Sequence, residues 1–88
     1  MNITITGTLQ RFTNYQRNHF MDVETVGQGL EQLTQNFPDL RKIIFDTDGS
    51  VRPIHRLFLN DEQIDETGLA NRVGEKDKLD IITAIAGG

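Results

Sequence analysis

Along the first seven residues apolar and polar positions alternate, Ile3 and Ile5 on one side and Thr4 and Thr6 on the other. That period of two predicts a strand closed by Gly7-Thr8. Leu9 to Asn18 is polar and patternless and reads as a long loop or ragged turn. His19 to Val26 carries a weaker strand pattern through Phe20, Met21, Val23 and Val26, so the N-terminal pair reads as a hairpin. From Thr25 to Phe37 the period changes. Leu30, Leu33 and Phe37 line one helical face, Thr25 and Gln28 have capping-box spacing, and Pro38 marks a stop.

Leu40 and Ile43 to Phe45 continue apolar, as a further turn and a short strand, and Asp46 to Ser50 is turn chemistry. In Arg56 to Ile64, Leu57 and Leu59 share one face and Phe58 the other, with a turn at Asn60-Asp61-Glu62. Leu69-Ala70 and Val73 suggest one helical turn after Gly68. Glu75 to Asp77 turns the chain again, and Lys78 to Ile85 is the strongest strand signal. Two strands, a helix, then two or three strands predict an α+β domain, a four- to five-stranded mixed sheet packed on one main helix. If the first and last strands pair in parallel at the centre, the arrangement is a β-grasp. The expected division is one domain over residues 1–85 and a flexible Gly-Gly tail over 86–88.

Composition narrows the chemistry. The 88 residues contain no cysteine, so neither a disulfide nor a thiol nucleophile is available. The net charge of −4 argues against a nucleic-acid partner. No apolar run approaches the ~20 residues of a membrane span, and the N-terminus lacks a basic, then apolar, leader. The expectation is a cytoplasmic protein, monomeric on its own.

The last four residues, Ile85-Ala86-Gly87-Gly88, follow directly on a hydrophobic strand. Glycine lacks Cβ, so such a segment can thread a narrow channel and present a carboxylate far from the domain. A carboxylate is a poor electrophile until it is activated, for example as an acyl-adenylate. The run Asp77 to Gly88 resembles the C-terminus of the MoaD/ThiS sulfur-carrier family, especially the carriers serving cysteine and thioacid-siderophore synthesis. Leu57 to Glu62 and Gly68-Leu69-Ala70 are similar to their counterparts in that subgroup. One departure is Thr83, where many members have proline.

The resemblance implies a ubiquitin-like β-grasp protein that is a co-substrate, not a catalyst. Gly88 would be adenylated by a ubiquitin-activating-like enzyme using ATP and converted to a thiocarboxylate. A sulfur-accepting biosynthetic enzyme would then take the sulfur for a cysteine, siderophore thioacid, molybdopterin or thiamin route. In relatives with a short extension after the glycines, a metalloprotease removes it. Ala86, Gly87 and Gly88 would thread the partner's active site, with no bound cofactor in the carrier itself. The alternative is a protein modifier conjugated through Gly88 to lysines.

A docking surface beside the tail is expected from Phe58 and Ile82 on one sheet face, with Arg56 and Arg72 flanking. Other constellations fail on spacing. His19 and His55 have no partner ligand at metal spacing, so surface or partly buried histidines are expected. Asp46-x-Asp48-Gly49 has its glycine too early for a calcium loop and no closing glutamate. Gly27-x-Gly29 lacks the third glycine of a dinucleotide fingerprint. Ser50, the only serine, has no glycine elbow. Asp61, Glu62, Asp65 and Glu66 read as a solvated loop, and no catalytic residue is assigned.

Overall fold

The computed structural model describes residues 1–83. Its elements in chain order are β1 (Asn2–Ile5), a 3₁₀ helix (Gly7–Thr13), β2 (Asn18–Phe20), α1 (Val26–Asn36), α2 (Pro38–Ile44), β3 (His55–Leu59), β4 (Glu62–Ile64), a second 3₁₀ helix (Glu66–Ala70) and β5 (Lys78–Thr83). The five strands form one sheet in the order β2-β1-β5-β3-β4. β1 pairs with β5 in parallel, Ile3 opposite Leu79 and Ile5 opposite Ile81, and every other pairing is antiparallel. The first and last strands therefore lie side by side at the sheet centre, which makes the fold a β-grasp.

Alternation along the strands sorts the two faces. Ile3, Ile5, Leu57, Leu79 and Ile81 are buried and meet Val26, Leu30 and Leu33 of α1 and Leu40 and Ile44 of α2. That one-sided burial is what a half-covered sheet requires, and it supplies most of the driving force for the fold. The helix α1 begins as expected. Thr25 Oγ1 accepts from the Gln28 amide at 3.2 Å, and Gln28 Oε1 accepts from the Glu24 amide at 3.0 Å. Between β3 and β4, Asn60 and Asp61 both have positive φ, 51° and 71°. This is the left-handed pair that a tight two-residue hairpin needs, and Asn and Asp tolerate it better than most residues.

Three segments differ from the sequence expectation. Leu9 to Asn18 is not a structureless loop: its first part is a 3₁₀ helix that buries Leu9 and Thr13. The strand expected over His19 to Val26 is reduced to Asn18–Phe20, because the chain must leave the sheet to cap α1. The short strand expected at Ile43 to Phe45 is the end of α2, and Phe45 keeps only an isolated bridge to Val51. Pro38 ends α1 but also starts α2, where its missing N–H costs nothing. Leu40 and Ile44, four apart, then face the core together.

Candidate functional site

The expected working end, Ala86 to Gly88, and the strand continuation at Ala84 and Ile85 lie outside the described residues, as does the boundary placed at residue 86. What the structure describes is the strand that leads to them and the surface around its end. Lys78 to Thr83 runs at the middle of the sheet between β1 and β3. Its last described residue is held from the side. Thr83 is opposite His55 in the ladder, and the Thr83 hydroxyl lies 3.0 Å from His55 Nδ1. His55 Nε2 lies 2.7 Å from the Ile43 carbonyl, at the C-terminal end of α2. Both histidines are in fact buried, His55 in this bridge and His19 edge-on to the Phe37 ring.

The face of the sheet turned away from the helices carries the candidate docking residues. Phe58 stands opposite Asp80 and Arg56 opposite Ile82. Phe58 and Ile82 are therefore diagonal neighbours on one face, within reach of each other's side chains. Ile82 is 45% exposed, Phe58 is half-buried and Arg56 is exposed. Leu57 and Leu59, the alternate positions on β3, turn inward against the core. The patch is small: two apolar side chains and one guanidinium, next to the end of β5.

Arg72 is not brought to this patch. It forms a bridge with Thr25, and its guanidinium lies 3.3 Å from the Glu24 carboxylate. Glu24 in turn follows Met21, whose amide donates to Met1 at the start of β1. Because β1 and β5 are parallel, that is the end where β5 begins, the opposite end from Ile82. Sequence distance from Ile82 does not reveal which end of the strand a loop returns to.

Toward its beginning, β5 is set by a polar clasp. Asn60 Nδ2 donates to Asp77 Oδ1 at 2.9 Å, and the Lys78 amide donates to Asn60 Oδ1 at 3.0 Å. The Gly74 amide donates to Asp77 Oδ2 at 2.6 Å. The Asn60 amide and then the Gly74 amide hold the Asp77 carboxyl below its ordinary range. Asp61, one residue on, lies 3.1 Å from Lys78 Nζ and raises the lysine. The acidic stretch is partly structural too. Asp65 caps the second 3₁₀ helix, its carboxylate accepting from the Thr67 amide at 2.9 Å, while Glu66 accepts from the Val51 amide at 2.8 Å.

Among the described residues no three His, Asp or Glu side chains are grouped to hold a metal ion, and no helix is long and apolar enough to cross a membrane.

The ThiS family model matches residues 3–88. No curated protein matches the chain in sequence. Among solved structures, SAMP1 of Haloferax volcanii is similar at 26% identity and TM-score 0.83, covering 100% of this chain and 98% of its own. CysO of Mycobacterium tuberculosis is similar at 22% identity and TM-score 0.82, over 96% and 98% of the two chains. The Amycolatopsis orientalis BexX/CysO complex matches at 20% identity and TM-score 0.83, over 99% and 98%. A family match over nearly the whole chain, joined to a β-grasp sheet with β5 leading into Gly87-Gly88, decides the assignment. The chain belongs to the ThiS family, the ubiquitin-like sulfur carriers that its C-terminal sequence resembles.

Proposed function

We propose that this chain carries sulfur on the carboxylate of Gly88. The observation that carries the reading is the central, parallel placement of β5, whose sequence runs on into Ala86-Gly87-Gly88 in a member of the ThiS family. The strand is anchored on both sides by β1 and β3, so the segment after it has a rigid base from which to enter a partner.

In this reading the Gly88 carboxylate attacks the α-phosphorus of ATP in a ubiquitin-activating-like enzyme, and pyrophosphate leaves. A sulfide-level nucleophile then adds to the acyl carbon and AMP leaves, giving a thiocarboxylate. The sulfur passes to a biosynthetic enzyme in a cysteine, siderophore thioacid, molybdopterin or thiamin type of route. The carrier supplies no catalytic group. It contributes a slim reactive end and the Phe58, Ile82 and Arg56 face, which would dock on the enzyme. CysO of Amycolatopsis orientalis has been solved in a complex with BexX, which supports a partner-bound working state here.

A second reading has its own support, since a SAMP1 structure of Haloferax volcanii, 25% identical, is described as a small archaeal modifier protein. There the same adenylate would pass Gly88 to a lysine of another protein. The product separates the two. The purified chain, its cognate adenylating enzyme, ATP and sulfide are incubated, and the intact protein mass is measured. A gain matching one oxygen replaced by sulfur, localised to Gly88 and lost on deletion of Gly88, is expected. Isopeptide-linked conjugates without the thiocarboxylate would favour the modifier, and an unchanged chain would overturn both.

A further inference from the structure

The connection between β1 and β2 is built underneath and displayed on top. Asn14 and Tyr15 both have positive φ, 54° and 61°. For an aromatic residue this left-handed conformation is strained. The Tyr15 ring does not offset that strain by burial, because it is 76% exposed, the most exposed large apolar side chain described. The bend is instead imposed from below. The Tyr15 amide donates to the Gln10 carbonyl at 2.8 Å, the Gln16 amide to the Thr13 carbonyl at 2.9 Å, and buried Thr13 and His19 both reach the Gln16 carbonyl at 2.9 Å. A rigid base therefore holds an aromatic ring in water.

The connection also has a location and a charge. The Ile5 amide donates to the Arg17 carbonyl, which fixes the loop at the end of β1. By the parallel pairing, that is the end where β5 reaches Thr83. From Met1 to Met21 the chain has two arginines, Arg11 and Arg17, and no carboxylate, although the whole protein has a net charge of −4. Arg11, Arg17 and Arg56 are exposed, and among the described residues none of the three forms an ion pair. Each of the guanidiniums of Arg41, Arg52 and Arg72 has a carboxylate within 4 Å.

We propose that Arg11, Tyr15 and Arg17 form a second docking element, at the end of the sheet where Ile82 lies, for an acidic protein surface. The occupant is the face of the adenylating enzyme that surrounds the channel admitting residues 86–88, so the inference rests on the carrier reading. The unpaired guanidiniums would raise the rate of encounter and orient the carrier, and Tyr15 would supply the buried anchor. Aromatic and arginine side chains are the types that dominate such contacts.

The test is ATP–pyrophosphate exchange by the adenylating enzyme of the same genome, with the carrier as varied substrate. In Arg11→Glu/Arg17→Glu, KM for the carrier should rise about tenfold with kcat unchanged, and the dependence of KM on salt should weaken. Tyr15→Gly is the second variant. It removes the ring and relieves the left-handed strain, so its melting temperature should hold or rise while KM still increases. Unchanged KM in both variants overturns this docking element and leaves the carrier reading standing. Failure of the wild-type chain to support exchange overturns the carrier reading and this inference with it.

Discussion

His55 and Thr83 face each other across the β3–β5 ladder, and the distances between them and Ile43 assign the proton on the ring. A carbonyl oxygen only accepts, so the 2.7 Å contact to Ile43 requires Nε2 to donate. In the neutral ring Nδ1 is then an acceptor, and Thr83 Oγ1 donates to it at 3.0 Å. One side chain thus ties the end of α2 to the last described residue of β5.

This bridge predicts a graded response at position 83. Thr83→Val leaves Nδ1 without its donor and should cost about 1 kcal/mol, a fall of roughly 4–8 °C in melting temperature for a domain of this size. Thr83→Ser keeps the hydroxyl and should retain most of the stability. Imidazole nitrogen shifts should report the Nε2–H tautomer. The opposite tautomer, or equal losses in the two variants, would rule the bridge out.

The clasp at the start of β5 predicts an acid limb. Asn60 and Gly74 favour the ionised form of Asp77, so its folded pKa lies below its unfolded one. Its stabilisation is therefore complete above about pH 4, the unfolded value, and is lost as pH falls through the folded pKa. Asp77→Asn should flatten the decline of the urea midpoint as pH falls below about 4. Some slope should remain, because Glu31 is lowered by Arg41 and Asp65 by Thr67. If the variant and the wild type lose stability in parallel, the carboxylate is not held as described.

Two buried glycines should respond differently to the same methyl group. At Gly68 a Cβ would stand 2.6 Å from Ile64 Cβ, with Ile64 Cδ1 and Cγ2 each at 3.2 Å. A β-branched side chain on a strand cannot swing away from its own Cβ. Gly68→Ala should therefore cost about 1–3 kcal/mol. At Gly29 the close atom is Met1 Cε, the far end of a flexible chain that can move. There the loss is partly offset by the preference of a helix for alanine, worth about 1 kcal/mol. Urea denaturation of the two variants should rank Gly68→Ala clearly lower, and the reverse ranking would contradict the packing of the second 3₁₀ helix on β4.

The sheet was legible in the sequence where one face alone is buried, because Ile3 and Ile5 alternate with Asn2, Thr4 and Thr6, and Leu79 and Ile81 with Lys78 and Asp80. The helix α1 was legible from Leu30, Leu33 and the Thr25-to-Gln28 cap. The reading failed where two patterns compete. Ile43-Ile44-Phe45 is a β-rich run, yet Leu40 and Ile44 are also one helical turn apart, and tertiary burial chose the helix. In Gly7 to Thr13, the spacing of Leu9, Phe12 and Thr13 was the available signal, diluted by polar neighbours. Arg72 was misjudged as a neighbour of Ile82 for another reason: only the parallel pairing of β1 with β5 shows that its loop returns to the far end. Thr83 gained its partner, His55, from strand register, which no local pattern encodes. The role given to Gly87 and Gly88 rests on the sequence and the family alone.

Ile81 and Ile82 are adjacent and point to opposite faces, which allows folding and docking to be separated. Ile81 has 0% exposure between the sheet and the helices, whereas Ile82 is 45% exposed on the other face. Ile81→Ala removes packed atoms and leaves a cavity, and should cost about 2–5 kcal/mol. Ile82→Ala removes a side chain already half in water and should change stability by no more than about 0.5 kcal/mol. In pyrophosphate exchange the order should invert. Below its melting temperature Ile81→Ala should keep a normal KM for the adenylating enzyme, and Ile82→Ala should raise it. A stable Ile82→Ala protein with wild-type KM would mean that the Phe58 and Ile82 face is ordinary exposed surface, and that the partner grips the carrier elsewhere.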